Sequence, residues 1–232
     1  MADQLMSGTE TPESRDDDPR SSTRSMRHAL DEMVPRIESD GRLDEPAAVF
    51  GGWADSLASS RLGPVLDGRA IGHALHPLLT DVPIGCWTCA AMLDLLGGRA
   101  SRPASERLIA CGVITAVPTM ASGLVELSTV PSSDEGSRRI ATAHACLNTA
   151  AVGAYAASWL ERRRGHHLRG LTWGAIGAVV ASASGHLGGH LAFVSGIGRG
   201  RRTDVPVPGS ASVPGSRTDH AERPATGRTD RR

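Results

Sequence analysis

Five ionisable side chains inside otherwise apolar stretches of this sequence, with His76 just before the first of them, are of types that hold metals. His186 and His190 stand four residues apart in SGHLGGHL; Asp81, Glu126 and His144 fall in three other apolar stretches. Imidazole nitrogens and carboxylate oxygens are the common side-chain donors to transition metals. Two histidines at i and i+4 share one helix face, about 6 Å apart along the axis. That spacing suits two ligands of one ion, and the expected metal set is His186, His190, Asp81 and Glu126. It does not suit a haem held between His186 and His190, because axial ligands approach iron from opposite sides. A haem needs one histidine from that segment and one from a facing helix, such as His144 or His76. The expected cofactor-binding residues are therefore His76, His144, His186 and His190. The competing reading is that these groups hydrogen-bond across helices and fix packing.

The elements that must position them are four long apolar runs, at Pro77–Gly97, Arg107–Ser128, Ile140–Leu160 and Gly170–Phe193. Each approaches the roughly 20 residues that cross a hydrocarbon core. Short Arg-containing loops separate them: GGRASRPASER, PSSDEGSRR and ERRRGHHLRG. The runs are rich in Ala, Gly, Ser and Thr, which let helix backbones approach in lipid, where apolar burial drives little association. Pro118 is expected to kink the second run, and Trp159 and Trp173 to mark an interface. Tracing the chain up and down brings all six ionisable residues to one leaflet, on the side of both termini. Ionisable groups at membrane depth are a functional signal by default. Asp94, at the opposite end of the first run, is expected to pair with Arg99 or Arg107. No inverted repeat is evident.

The ends of the chain differ from its middle. Residues 1–40 and 199–232 are polar and rich in Arg, Asp, Ser, Thr and Pro, a composition that predicts disordered tails. Residues 41–70 contain an amphipathic helix near Asp44–Ser60, with Val49, Phe50, Trp53 and Leu57 on one face, expected to lie on the membrane surface or on the bundle. Residues 71–198 form the four-helix membrane domain. The formal net charge is zero, and no basic stripe suggests a nucleic acid. No apolar segment near Met1 resembles a signal peptide. Both termini are expected on the same, cytoplasmic side of the plasma membrane. The four cysteines lie in apolar runs, which argues against a disulfide framework. Cys86 and Cys89, in CWTC, read as small helix-packing residues.

The stretch GHALHPLLTDVPIGCWTCAAMLDLLGG resembles the signature of a bacterial membrane-domain family of unknown function, the one numbered 2231, with its LHP start, PIG turn and DLLG-like finish. The likeness continues through His144–Ala145, YAASWLERRRG and GGHL, over about residues 70–198. It implies the same four-span fold and directs attention to His76, Asp81, His144 and His190. Because such domains are sometimes fused to Rieske-type iron–sulfur domains, it also implies an electron-transfer setting. The C-terminal tail here has no Cys–His pairs to hold a cluster, so a redox partner would be a separate protein or a quinone.

The sequence thus predicts an all-α integral membrane four-helix bundle with disordered tails, and no stand-alone enzyme. It suggests a membrane redox module holding haem or a transition metal, with lipid around it and self-association open. The alternative is a non-catalytic membrane scaffold with a structural histidine cluster.

Overall fold

The computed structural model describes residues 32–69 and 71–197. Every regular element among them is helical. In chain order these are α1 (32–39), α2 (Asp44–Ala58), α3 (Gly63–Leu66), α4 (Leu75–Leu96), α5 (Arg102–Leu127), α6 (Glu135–Arg163) and α7 (His167–Phe193). The expected tails lie outside the described residues, except that 32–39 is helical where disorder was expected. Its Val34 is buried against Ile140, Leu187 and Leu191, which supplies the apolar contact that the polar composition hid.

Local chemistry sets the helix ends. The Asp134 side chain accepts from the Ser137 N–H at 3.0 Å and starts α6, an N-cap that satisfies one otherwise free donor. Glu135 in the first turn and Arg162 and Arg163 in the last complement the helix dipole. Gly165 adopts φ 83° and reverses the chain into α7, a backbone conformation that only glycine takes without strain. Pro83 lies inside α4 and Pro118 inside α5. The expected PIG turn is therefore helical: Pro83–Gly85 is a continuous part of α4, since neighbouring helices tolerate an internal proline.

Two helical stretches, Leu75–Leu96 and Arg99–Leu127, are long and apolar enough to cross a membrane. α6 and α7 are longer than α4 but diluted by Ser, Gly, Asn and His. The four long helices lie side by side, with α5 against α4 and α6, and α7 against α6 and α4. The interior mixes apolar and hydroxyl side chains: Ile109, Ile140 and Leu187 are fully buried together with Thr142, Ser105, Ser122, Ser158 and Ser184, while Leu78, Met92, Ile114, Val117 and Val179 are exposed. The buried hydroxyls bridge helices: Ser105 donates to the Ala90 carbonyl at 3.3 Å, Thr119 to Leu79 at 3.2 Å and Ser158 to Gly170 at 2.6 Å.

An internal repeat organises these contacts. α4 and α6 run in the same direction and meet along a diagonal in three layers. His76 faces His144 with ring centroids 6.4 Å apart. Trp87 stacks on Tyr155 at 4.0 Å, with an interplanar angle of 9°. Asp94 pairs with Arg162, 68 residues later in the chain, at 2.8 Å. The same separation relates the members of the other two layers. By helical rise the layers span about 27 Å from first to last, close to the thickness of a hydrocarbon core. In the second helices Thr119 corresponds to Ser184, Gly112 to Gly177 and Gly123 to Gly188. The hairpins α4–α5 and α6–α7 are thus two parallel copies of one unit, not an inverted pair.

The N-terminal helices pack where α4 begins and α7 ends. α2 buries Ala47, Gly51 and Ala54, with Ala54 against Leu127 and Val130. Phe50 joins that cluster, whereas Val49 and Trp53 point away. The helix therefore docks by a small-residue face and leaves its bulky face free. Arg139 fastens it, bonding Asp44 at 2.6 and 3.0 Å and the Glu38 carbonyl at 2.8 Å.

Candidate functional site

The structure brings His76 and His144 together and separates them from the other expected ligands. His76 stands in the first turn of α4, and its Nδ1 lies 2.8 Å from the Thr119 carbonyl oxygen. His144 stands on α6, and its Nδ1 lies 2.8 Å from the Ser184 carbonyl oxygen. A carbonyl oxygen only accepts, so each Nδ1 carries the proton and donates. Each Nε2 then carries the lone pair. Ser122 Oγ lies 3.4 Å from the Nδ1 of His76, and Ser184 Oγ 3.0 Å from that of His144. The Ser184 hydroxyl donates to the His144 carbonyl at 3.1 Å.

Glycines make the space for both rings. A Cβ on Gly123 would stand 2.8 Å from His76 Cε1, and one on Gly188 would stand 2.8 Å from His144 Cε1. The two imidazoles are held in the same way by corresponding positions of the two hairpins. The difference is at Nε2, where Asn148 Nδ2 donates to His144 at 3.0 Å. Glu126 stands one turn beyond Ser122, on the same helix. Its Oε1 is buried with no hydrogen-bond partner among the described residues.

The remaining expected ligands lie elsewhere. Asp81 is exposed on the outer side of α4. His190 faces Glu38 of α1, with 3.8 Å between Nε2 and Oε1. His186 is half-buried and has no hydrogen-bond or ion-pair partner among the described residues. His186, His190, Asp81 and Glu126 thus do not converge, and no group of three or more His, Cys, Asp or Glu among the described residues is placed to hold an ion. The spacing of His186 and His190 gives a shared helix edge but does not decide which way it faces.

The opposite end of the diagonal holds the most enclosed charges of the domain. The side chains of Arg162 and Asp94 are 3% and 9% exposed. Arg162 donates to both Asp94 oxygens at 2.9 and 2.8 Å, to Ser105 at 3.2 Å and, through Nε, to Ser158 at 3.3 Å. The expected partners of Asp94, Arg99 and Arg107, are not used. They are near in sequence but stand at the start of the hairpin partner, whereas Arg162 faces Asp94 across the diagonal.

The sequence from residue 72 to 201 matches the family described as "predicted membrane protein (DUF2231)". The chain belongs to that family. The DUF2231 domain therefore contains α4 to α7 and both histidines, while α1 to α3 precede it. No curated protein and no solved structure is recognisably similar to the chain.

Sequence reading did not single out Asn148, Ser184, Thr119, Tyr155 or Arg162. A signal existed for two of them. Asn148 stands one helical turn after His144, and Tyr155 is the only tyrosine of the chain. Nothing in the ERRRG run distinguishes Arg162 from its neighbours. The two cysteines of CWTC are free thiols, Cys86 half-buried and Cys89 exposed.

Proposed function

We propose that the DUF2231 domain crosses the bilayer four times and serves as a redox module, with His76 and His144 jointly holding one metal centre, a haem iron or a single transition-metal ion. The exposed Leu, Ile, Val and Met on the outer helix faces support the four crossings, since lipid accommodates them, and hydrogen bonding within the bundle satisfies the buried Ser and Thr hydroxyls. Four crossings return the end of α7 to the side where α4 begins, which places the histidine layer near that leaflet. The exposed Val49 and Trp53 of α2 then meet the headgroup region on the same side. Cytoplasmic placement of that side, in the plasma membrane, accompanies this reading.

The observation that carries the metal centre is the twofold-related anchoring of the imidazoles. An Nδ1–H bound to a main-chain carbonyl is the outer-shell contact that orients a ligating histidine and raises its basicity. The Nε2 atoms of His76 and His144, on rings whose centroids stand 6.4 Å apart, would hold the group. When bound, the metal supplies one-electron chemistry, exchanged with a quinone or a separate redox protein. The chain does the rest: Thr119 and Ser184 fix the tautomers, Gly123 and Gly188 admit the rings, and the bundle shields the layer. Asn148 occupies the lone pair of His144 and must turn aside for ligation. The serine hydroxyls beside the rings face protonated Nδ1 atoms, which cannot act as bases, so the reading is a carrier and not a stand-alone enzyme.

The test is an oxidised and dithionite-reduced visible spectrum with metal analysis, on detergent-purified protein expressed with added haem and transition metals. Bound haem or stoichiometric metal, lost in His76→Ala and His144→Ala without loss of membrane insertion, is the expected result. Folded protein that is colourless and metal-free would leave the histidines as interhelical hydrogen-bond donors and favour a membrane scaffold.

A further inference from the structure

Of the ionisable residues that the sequence places within the apolar runs as metal-ligand candidates, Asp81 and His186 join neither the histidine layer nor any ion pair among the described residues, and both lie away from the buried faces of their helices. Asp81 is exposed on α4, on the side opposite the buried Pro83, Trp87 and Ala90. His186 of α7, half-buried, lies about 100–180° around the helix from the buried Gly170, Gly177, Ser184, Leu187 and Leu191. On a four-span chain both faces meet lipid, where a lone carboxylate costs about 2.5–3.5 kcal/mol at the centre and less nearer the interface. A partner that brings a complementary group removes that cost.

We propose that this partner is a second copy of the chain, docked so that α4 of each copy faces α7 of the other and Asp81 pairs with His186 twice. A twofold axis along the membrane normal preserves depth, so the two groups must lie at similar levels within one copy. The contacts fix those levels. His76 is level with His144 through their rings, and His144 is level with the segment from Ser184 to Gly188. His186 therefore lies near the level of His76, and Asp81 is about 7 Å deeper by backbone rise. Side chains lean towards the N-terminus of their own helix, and α4 and α7 run in opposite directions. Asp81 thus leans towards the shallow side and His186 towards the deep side, which closes most of the gap.

The faces also allow close approach. Gly85 on α4, and Gly185 and Gly189 on α7, have open space where a Cβ would be, and Ser182, one turn before Gly185, is exposed. Since α4 and α7 are neighbours, one isologous interface uses both. Charge complementarity selects a second copy over lipid alone, because this chain itself carries both members of the pair at matching depth.

The experiment is subunit counting of the full chain in lipid nanodiscs, by native mass spectrometry or single-molecule photobleaching. The wild type is expected to be dimeric. Asp81→Leu and His186→Leu are each expected to weaken association at least tenfold while keeping the helical spectrum. The exchange variant Asp81→His with His186→Asp is expected to restore the dimer. A monomeric wild type, dimers undiminished in both single variants, or an exchange variant that stays monomeric would each overturn the proposal. Metal or haem content is read on the same samples, and these outward substitutions leave it unchanged, so the two proposals stand or fall separately.

Discussion

Replacing Arg162 by Met tests the diagonal where its energetics are clearest. The guanidinium makes two charge-assisted bonds to Asp94, at 2.8 and 2.9 Å, and both side chains are almost wholly enclosed. Hydrogen bonds to charged groups contribute about 1.5–3 kcal/mol each. Removing one partner of a buried ion pair costs about 3–5 kcal/mol, because the other charge is stranded. Unfolded segments in a membrane also find polar partners, so the lower end applies, about 3 kcal/mol for Arg162→Met and similarly for Asp94→Leu. The double variant strands no charge, and Ser105 and Ser158 keep their bonds to Ala90 and Gly170. It should therefore cost no more than either single change, a coupling of about 3 kcal/mol. Reversible unfolding in mixed micelles, followed by tryptophan fluorescence, measures all four corners of the cycle. Additive costs, with coupling under about 0.5 kcal/mol, would refute the reasoning and show that water reaches the pair.

Gly123→Ala and Gly188→Ala each place a methyl group 2.8 Å from an imidazole carbon and should destabilise by about 1–3 kcal/mol through overpacking. Gly153→Ala, with open space around it, should be neutral or stabilising by up to about 1 kcal/mol from helix propensity; the same unfolding assay separates them. Tyr155→Phe should retain the stack on Trp87, whereas Tyr155→Leu should lose about 0.5–1.5 kcal/mol beyond the area effect, read in the near-ultraviolet circular dichroism as well as in stability. The hydrogen bond from Arg139 holds the Asp44 carboxyl below the usual carboxylate range. Because the folded value is depressed, this contact contributes fully above the free value of about 3.9 and is lost as pH falls through the folded value. Trp53 fluorescence in a variant with the other tryptophans replaced should report loosening of α2 below about pH 4. Asp44→Asn should abolish that pH step.

The long helices were legible because their limits are set by coarse constraints. Chain length against bilayer thickness, and charged or turn-forming residues at the ends, are properties of a segment alone. The expected starts of the first and last runs, Pro77 and Gly170, fall close to the observed Leu75 and His167. Rotation about the helix axis was not legible. It decides that His144 meets His76, that Asp81 and His186 point outward and that His190 meets Glu38. Spans rich in Ala, Gly, Ser and Thr have weak amphipathic faces, so periodicity gives little sense of which side is inner. Small residues can line either side: Gly123 and Gly188 touch imidazoles, while Gly85 and Gly185 touch nothing.

The internal repeat escaped sequence reading for a physical reason that bears on function. Along the diagonal, three residues of one hairpin face their own counterparts in the other. An identical charged pair there would bury two like charges, which a low-dielectric interior does not tolerate. Two positions that began alike therefore have to diverge, and the charged layer holds Asp94 against Arg162. The aromatic layer keeps its shape but not its identity, as Trp87 against Tyr155. Such divergence removes the self-similarity that a repeat would otherwise leave in the sequence. The histidine layer is the exception: the same residue stands on both sides, anchored on Nδ1 in the same way. If these histidines only bridged helices, each would be satisfied by its own hairpin partner, and nothing would tie the two positions to the same residue type. The proposed single centre shared across the axis would impose that tie, because it would need the same donor from each side.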